Sequence, residues 1–321
     1  MIIDTIQREY NYDDVYLKPR KCIVDSRSKC DITVELGGRK FANPVIPANM
    51  KSVVHWNTCE YFASKNMFYI MHRFDIDFFD LVNFINVMNK NYFSSISVGV
   101  KTEDRILLQN LKNEGAIPNY ITIDIAHAHS DVVAEMISYI KRIFPNTFVI
   151  SGNVATAEGV DFLERAGTDA TKIFIAPGAA CTTKIETGFT RGTISCLLEC
   201  FDVAKKPLIA DGGIKEAGHI AKAMACGATM VMAGAFMCGF DKSPGDVKTI
   251  NGNKKYIYYG SASFNNKQSK HHVEGKEVIL DYKGNMDEHI EHIECSLKSA
   301  VSYAGVSKIT DMYGTPLFSV R

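Results

Sequence analysis

Eight short apolar runs, rich in β-branched residues, recur along the chain between stretches with helical periodicity. They lie at residues 44–50, 67–74, 94–100, 120–126, 147–154, 171–177, 207–214 and 228–236. Continuous apolar runs of this length are typical of parallel strands buried on both faces, and amphipathic stretches such as 130–144 predict crossover helices. Eight such units close a barrel, so we predict an α/β fold of the TIM (β/α)8 class.

Two long connections interrupt this alternation. Residues 178–192 follow the sixth run, and residues 241–285, rich in Gly, Asn, Lys and Ser, separate the eighth run from a last helical pattern at 287–303. The loops after the strands build the active site of a TIM barrel. We therefore predict that residues 1–321 form one catalytic domain, with an active-site loop at 178–192 and an insertion at 241–285 that covers the barrel mouth.

Charge and composition restrict the classes of partner. The 36 basic and 36 acidic residues give a formal net charge of zero, which argues against nucleic acid or an anionic membrane as a partner. No apolar run approaches the roughly 20 residues that cross a bilayer. The nine cysteines are scattered without a Cys-x-x-Cys pair, and the start of the chain is unlike a secretory leader, so we expect a reduced, cytoplasmic protein.

Two small-residue turns lie at the ends of the seventh and eighth runs, at Gly212 and Gly213 and at Gly234 and Ala235. Such turns let backbone N–H groups approach an anion, and loops at this point of a TIM barrel often bind phosphate. One turn alone would indicate only a tight reversal of the chain, but two predict a phosphorylated ligand. Asp211 would repel a phosphate, so we predict that it accepts hydrogen bonds from ribose hydroxyls.

Cys181 lies in the loop after the sixth run, among small residues, hydroxyls and Lys184. Such surroundings can favour a nucleophilic thiolate, although free cysteines are more often core residues, and the local chemistry leaves both open. The pair Cys196 and Cys200 is interpreted as core packing rather than a metal site. We also expect a core position for the other cysteines: Cys22, Cys30, Cys59, Cys226, Cys238 and Cys295.

The fourth run ends in Asp124 and continues to His127 and His129. A His-x-His pair is compatible with a metal-dependent hydrolase. The other predicted strand ends offer Asp211 but no second histidine cluster and no bridging lysine, so we interpret both histidines as loop residues and expect Asp124 to orient a polar ligand. A Gly-x-Gly-x-x-Gly dinucleotide fingerprint is absent.

Taken in order, several motifs resemble the GMP reductase and IMP dehydrogenase family across almost the whole chain. They lie at residues 12–15, 26–27, 47–50, 71–74, 97–99, 176–184, 209–214, 259–263, 274–276 and 282–284. The resemblance implies that a loop cysteine attacks carbon 2 of a purine nucleotide and that a nicotinamide cofactor exchanges hydride at the same carbon.

Two features favour the reductive branch of that family, in its shorter bacterial-type form. The chain has no room for an inserted CBS pair, and residues 264–273 contain neither the Arg nor the Tyr that activates water in the oxidative branch. The resemblance thus implies NADPH-dependent reductive deamination of GMP to IMP and ammonia, a step of purine salvage. Oxidation of IMP to XMP is the alternative within the family, and metal-dependent hydrolysis is the alternative outside it.

The resemblance also assigns site residues. The catalytic set is Cys181, which forms a thioimidate, and Thr183 with Glu274 behind it; without the resemblance, Thr183 would be a backbone-capping hydroxyl and Glu274 a surface carboxylate. The implied nucleotide contacts are Asp211, Gly212, Gly213, Gly234, Ala235, Gly260, Ser261 and Gly275. The implied cofactor contacts are Ser26, Arg27, Arg73, Asp124 and Ala126.

The chain departs from the family pattern in the cysteine loop. The family has Gly-x-Gly before the cysteine, and its carbonyls can hold a monovalent cation, but the first glycine here is Ala176. Candidate K⁺ ligands are therefore the carbonyls of Ala176, Gly178 and Cys181. Ala235 also stands where the family often has Gly or Ser. The expected assembly is a homotetramer.

Overall fold

A computed structural model describes residues 7–178, 181–245, 247–260 and 275–320. Within these ranges the strands, numbered in chain order, are β1 (Val15–Leu17), β2 (Val34–Leu36), β3 (Arg39–Phe41), β4 (Val45–Pro47), β5 (Ser95–Val98), β6 (Tyr120–Asp124), β7 (Phe148–Val154), β8 (Ala170–Ile173), β9 (Leu208–Asp211), β10 (Met230–Ala233), β11 (Val247–Ile250), β12 (Asn253–Tyr259), β13 (Glu277–Asp281) and β14 (Leu317–Ser319).

Helices alternate with the central strands. They are α1 (Trp56–Ser64), α2 (Phe78–Asn91), α3 (Thr102–Asn113), α4 (Asp131–Ile143), α5 (Ala157–Arg165), α6 (Thr183–Thr187), α7 (Thr193–Val203), α8 (Ala217–Ala225) and α9 (Met286–Tyr303). The predicted helices at 130–144 and 287–303 correspond to α4 and α9. Side chains at the N-caps fix the starts of α2, α5 and α9, since Asp77, Thr156 and Asn285 each accept hydrogen bonds from first-turn N–H groups.

Seven parallel strands form the central sheet, in the order β4-β10-β9-β8-β7-β6-β5. The pairing of β10 with β4, Val231 opposite Val45, joins the last of these strands to the first. The strands are buried on both faces and helices surround them, as the continuous apolar runs predicted. The fold is thus the predicted α/β TIM barrel, with long insertions after its sixth and eighth units.

The second predicted strand, at 67–74, is the main difference in the barrel wall. In the described chain it reduces to a single parallel bridge between Met71 and Ile96 of β5. The Met71 N–H donates to the carbonyl of Ser95 at 2.9 Å, but the Met71 carbonyl accepts from the hydroxyl of Ser97 at 2.7 Å. A side chain therefore takes the place of the next backbone donor, and the ladder ends there.

An aromatic cluster closes the amino-terminal end of the barrel. The Phe68 ring lies 5.2 Å from Phe41, 5.8 Å from Phe93 and 4.9 Å from Tyr120, all buried. The hairpin of β2 and β3 covers this cluster, and the Tyr120 hydroxyl donates to the carbonyl of Leu36 in β2 at 2.9 Å. The cluster lies at the starts of the strands, opposite their carboxyl ends.

The two insertions lie at the carboxyl ends of the strands. The one after β8 contains the five-residue helix α6, and the one after β10 contains the antiparallel sheet β11-β12-β13. Three hydrogen bonds attach this sheet to Ser52 in the loop after β4. The Tyr256 hydroxyl donates to the Ser52 carbonyl at 2.6 Å, the Ser52 hydroxyl donates to the Tyr259 carbonyl at 2.9 Å, and the Tyr259 N–H donates to the Ser52 hydroxyl at 3.3 Å.

Replacing Phe68 by alanine tests the role of the aromatic cluster. The Phe68→Ala substitution leaves a cavity, so we expect the free energy of unfolding to fall by about 3–5 kcal/mol, measured by urea titration at constant temperature. Phe79→Ala is the control, because Phe79 is 72% exposed, and its effect should stay within about 0.5 kcal/mol. Equal losses in the two variants would show that the cluster contributes no special stability.

Candidate active site

Two adjoining cavities open at the carboxyl ends of the parallel strands. The smaller, of about 340 Å³, is bordered by the ends of β4, β6, β7, β8, β9 and β10 and the loops that follow them. The larger, of about 910 Å³, extends towards the N-terminal arm and β13. Their common wall includes Gly178, Cys181, Gly212, Gly234 and Tyr258. Cys181 therefore lies where the two cavities meet.

Backbone and side-chain contacts hold the thiol of Cys181 at this junction. Its N–H donates to the carbonyl of Gly178 at 3.1 Å, and it forms an antiparallel bridge with Gly275 in the second insertion. The thiol donates to the hydroxyl of Thr183 at 3.2 Å and is partly exposed. The sulfur is thus held in place and is accessible from both cavities, as a nucleophile that attacks a bound ligand must be.

The backbone before Cys181 adopts two conformations that are unusual for non-glycine residues. Phe174 has φ of +92° and Ala176 has φ of +62°, and the left-handed region costs an L-residue roughly 1–2 kcal/mol. Ala176 thus keeps the backbone conformation that glycine adopts freely. The surroundings stabilise the strained segment, because Phe174 packs edge-on against Tyr12 at 6.4 Å and its carbonyl accepts from Asn153 Nδ2 at 3.0 Å.

Both predicted phosphate turns depend on glycine. Gly212 and Gly213 have φ of +102° and +75°. At Gly234 a side chain is excluded for a different reason, since a Cβ there would lie 2.3 Å from the hydroxyl of Tyr258. Glycine thereby brings the backbone of both turns to the cavity walls without an intervening side chain.

The remaining described nucleotide candidates also border the cavities. Ala235 lines the larger cavity and Gly260 the smaller one, while Gly275 pairs with Cys181. The ammonium of Lys283 donates to the Ala235 carbonyl at 2.5 Å and lines the larger cavity. A positive charge therefore lies beside the predicted phosphate turn, although burial lowers the pKa of Lys283.

A buried lysine joins the two carboxylates of the site. Lys172, in β8, is 1% exposed, and its ammonium lies 2.9 Å from Asp124 Oδ1 and 2.8 Å from Asp211 Oδ2. Asn153 Nδ2 also donates to Asp211 Oδ2 at 2.9 Å. Burial is the largest influence on Asp124 and by itself raises the pKa, but the charges of Lys172 and Arg73 and the hydrogen bonds to Asp124 together outweigh it, so the pKa lies below its usual value.

Sequence reasoning missed this lysine. We expected no bridging lysine at a strand end, and that interpretation is wrong, because Lys172 bridges Asp124 and Asp211 from the third position of β8. A single charged residue between Thr171 and Ile173 in an otherwise buried strand was the available signal, since an unpaired charge is rarely buried.

The smaller cavity also holds polar groups suited to a ligand. Asp124, Ala126 and Arg73 line it, and within the described ranges Arg73 makes no ion pair; its guanidinium lies over the Phe74 ring at 5.0 Å. Asn49 lines the same wall, and its buried Nδ2 makes no hydrogen bond of ordinary geometry to any described residue, although its side chain is near enough to Asp124 to help lower the pKa of that carboxyl. Since an unpaired buried amide is costly, Asn49 is suited to donate to a bound molecule.

Ser26 and Arg27 lie apart from the cavities. The Ser26 hydroxyl caps a short 3₁₀-helix at Arg27–Lys29, and the Arg27 guanidinium donates to Ser299 of α9 at 3.2 Å. Neither residue is among those that line either cavity. Ser261 and Glu274 fall outside the described residues.

The metal alternative gains no support in the part of the chain that the structure describes. No group of three or more His, Cys, Asp or Glu residues there could hold a metal ion. His127 and His129 are exposed loop residues, and His129 packs on Phe162 at 4.9 Å.

No helix in the described ranges is long and apolar enough to cross a membrane.

The cysteines are free, and most lie where expected. Cys196 and Cys200 are buried in α7 with their sulfurs 3.9 Å apart. The expectation of a core position is wrong for Cys22 and Cys295, which are exposed. Cys295 lies on the solvent face of the amphipathic helix α9, whose buried face contains Ile290, Ile293, Leu297 and Val301.

Substituting Ala176 by glycine tests the strain before the thiol. Glycine removes the cost of the left-handed conformation but loses more chain entropy on folding, roughly 0.5–1 kcal/mol. We expect Ala176→Gly to be at least as stable as the wild type in urea titration. Ala155, equally buried but without a positive φ, is the control, and Ala155→Gly should lose stability. An equal loss in both variants would exclude strain at Ala176.

Comparison with known proteins agrees with this geometry. Residues 9–320 match the family model described as "IMP dehydrogenase / GMP reductase domain". The chain is 48% identical to the GMP reductase of Acidovorax ebreus over 94% of this chain and 93% of the relative. It is 48% identical to that of Chromobacterium violaceum over 98% and 97%, and 47% identical to that of Oceanobacillus iheyensis over 94% and 92%. The chain therefore belongs to the IMP dehydrogenase / GMP reductase family.

Proposed function

We propose that this protein catalyses the NADPH-dependent reductive deamination of GMP to IMP and ammonia. The observation that carries the proposal is the position of Cys181 between two cavities, one bordered by glycine turns and the other by Asp124 and Arg73. A reaction between a nucleotide and a dinucleotide requires two such adjoining spaces with the reacting atom at their junction. The names of the relatives support the reductive direction.

The nucleotide binds with its phosphate in the larger cavity and extends past the junction, so that its ribose reaches Asp211 and Gly260 in the smaller cavity. Its phosphate binds at the turns of Gly213, Gly234 and Ala235, where backbone N–H groups and the Lys283 charge favour an anion. Its ribose hydroxyls donate to Asp211, and Gly212, Gly260, Ser261 and Gly275 complete the contacts. Carbon 2 of the purine then lies against the sulfur of Cys181.

The part of the smaller cavity that Asp124, Ala126 and Arg73 border suits the nicotinamide end of the cofactor. Asp124 accepts from the carboxamide, Ala126 borders the ring, and Arg73, free of any ion pair with a described residue, meets the cofactor phosphates. The unpaired Asn49 Nδ2 supports a polar ligand at this wall. NADPH, when bound there, supplies the hydride that replaces the amino group at carbon 2.

Protein groups carry out the deamination half. The Cys181 sulfur bonds to carbon 2, and the amino group departs as ammonia after Thr183, polarised by Glu274, delivers a proton. This leaves a thioimidate between carbon 2 and the Cys181 sulfur. When carbon 2 gains a hydride and IMP forms, the bond to sulfur breaks and Cys181 is free again. The hydrogen bond between Cys181 and Thr183 supports this assignment, as does the place of Glu274 in the sequence, next to Gly275, which pairs with Cys181.

We extend the proposal to the oligomeric state, a K⁺ site, the cellular compartment and the domain organisation. Ser26 and Arg27 line neither cavity, so we propose that they contact the cofactor of a neighbouring copy in a homotetramer. The left-handed backbone at Ala176 supports a K⁺ site made by the carbonyls of Ala176, Gly178 and Cys181. Nine free cysteines support a reduced cytoplasmic compartment, and residues 1–321 act as one catalytic domain without a CBS pair.

Direct assay tests the reaction. GMP with NADPH should give IMP, NADP⁺ and ammonia in equal amounts, followed by nicotinamide absorbance and by an ammonia assay, and exhaustive dialysis against chelator should leave the rate unchanged. Cys181→Ala should abolish turnover while Cys295→Ala, at an exposed position outside both cavities, keeps it. Efficient formation of XMP from IMP and NAD⁺ would instead indicate the oxidative reaction. If the chelator removed a bound metal and the activity disappeared with it, the protein would be a metal-dependent hydrolase.

A second test separates deamination from hydride transfer. Glu274→Gln keeps the shape of the side chain but removes the proton relay, so GMP turnover should fall about 10²–10⁴-fold. The reverse partial reaction, in which IMP and NADP⁺ form the Cys181 adduct and NADPH, should be far less affected in rapid-mixing experiments. Glu288→Gln, at an exposed position in α9, is the control. Equal slowing of both steps would mean that Glu274 only positions other groups.

A further inference from the structure

The position of Lys172 is costly to the fold, which calls for an explanation beyond stability. Its side chain is 1% exposed, and both partner carboxylates are about four-fifths buried, with 18% and 19% of their side chains exposed. Replacing a buried ion pair by packed apolar residues is often neutral or stabilising, so such a cluster is weak evidence for a structural role. The triad also borders the smaller cavity rather than the interior of the barrel.

The hydrogen bonds of the triad are divided in a way that suits ligand binding. Lys172 uses Oδ1 of Asp124 and Oδ2 of Asp211, and Asn153 also donates to that Oδ2. No hydrogen bond of ordinary geometry from the described residues reaches the second oxygen of either carboxylate. Each aspartate thus has one oxygen fixed by the protein and one available to a ligand donor such as a hydroxyl or an amide.

We propose that Lys172 is a positioning residue that keeps Asp124 and Asp211 ionised and fixed in orientation, and thereby couples the nucleotide half of the site to the cofactor half. This inference deepens the proposed function, on which the roles of the two aspartates rest. A single ammonium serves both halves, because Asp211 lies at the end of β9 and Asp124 at the end of β6, with β8 between them in the sheet.

Lys172 does not act as the proton donor to the departing amine. Burial alone would lower its pKa, but the two carboxylates outweigh that effect and raise the pKa above its usual value. The ammonium therefore keeps its proton across the working range. Without this charge, Arg73 would still favour the charged form of Asp124, but two carboxylates would share a buried wall, and mutual repulsion together with burial would raise the pKa of at least one of them.

The Lys172→Met variant tests the proposal. A carboxylate with a raised pKa is protonated at low pH, so the acid limb of kcat/KM should move upward by at least about one pH unit. Affinity for GMP, measured by calorimetry without cofactor, and affinity for NADPH, measured by fluorescence without nucleotide, should each fall about tenfold or more. Lys172→Arg, which keeps the charge, should retain the wild-type pH profile.

A matched control separates electrostatic positioning from loss of stability. Lys141 forms a partly buried ion pair with Asp169 outside both cavities. Lys141→Met should lower the unfolding temperature without moving the pH profile or either affinity. A Lys172→Met enzyme that behaves in the same way, or that loses affinity for only one ligand, would overturn the proposal.

A second pair of variants covers failure of Lys172→Met to fold. The double variant Asp124→Asn/Lys172→Met has one buried carboxylate fewer than Lys172→Met alone. It should bind GMP more weakly than the single variant Asp124→Asn, because Asp211 has lost its ammonium partner. Equal GMP affinities in these two variants would overturn the proposal. GMP binding is measured without turnover. A wild-type protein that binds GMP but does not convert it with NADPH would refute the proposed reaction, and the GMP affinities of the variants would still test the role of Lys172.

Discussion

The parallel pairing of β10 with β4 is the constraint on which the site depends. It sets Met232 beside Ile46 and Ala233 beside Pro47, so strands from opposite ends of the chain become neighbours. Because the central strands all run in the same direction, their carboxyl ends meet at one edge of the sheet. Residues as far apart in sequence as Asn49 and Gly234 thereby line a common cavity.

Stability and binding are separated along the barrel axis. The amino-terminal end is filled by aromatic rings such as Phe68 and Phe93, which are buried, and is covered by a hairpin. The carboxyl-terminal end contains the features that cost free energy: a buried lysine between two carboxylates, an unpaired amide at Asn49, and left-handed backbone at Phe174 and Ala176. Such costs are tolerated where ligand binding uses the groups that cause them, and the packing of the amino-terminal end supplies stability that offsets them.

A chain of zero net charge binds an anionic nucleotide through local charges rather than through a general field. The cavities contain their own cations, with Arg73 at the smaller one and Lys283 beside the turn at Ala235. Backbone N–H groups of the glycine turns add partial charges that need no lysine or arginine. The site therefore requires neither a basic surface nor long-range steering.

The sequence by itself determined the barrel, its parallel strands, the two insertions, the cysteine loop and the family, because these depend on local periodicity and on motifs that are contiguous in the chain. It also placed Asp124 and Asp211 at strand ends and Cys181 in the loop after the sixth strand. Only the tertiary structure decided how those ends combine: that the second strand reduces to one bridge at Met71, that Ser26 and Arg27 lie apart from the cavities, and that Lys172 joins two aspartates. The partners of Lys172 lie 48 and 39 residues away, and a contact over that separation forms only when the sheet curls, so no pattern around residue 172 could specify it.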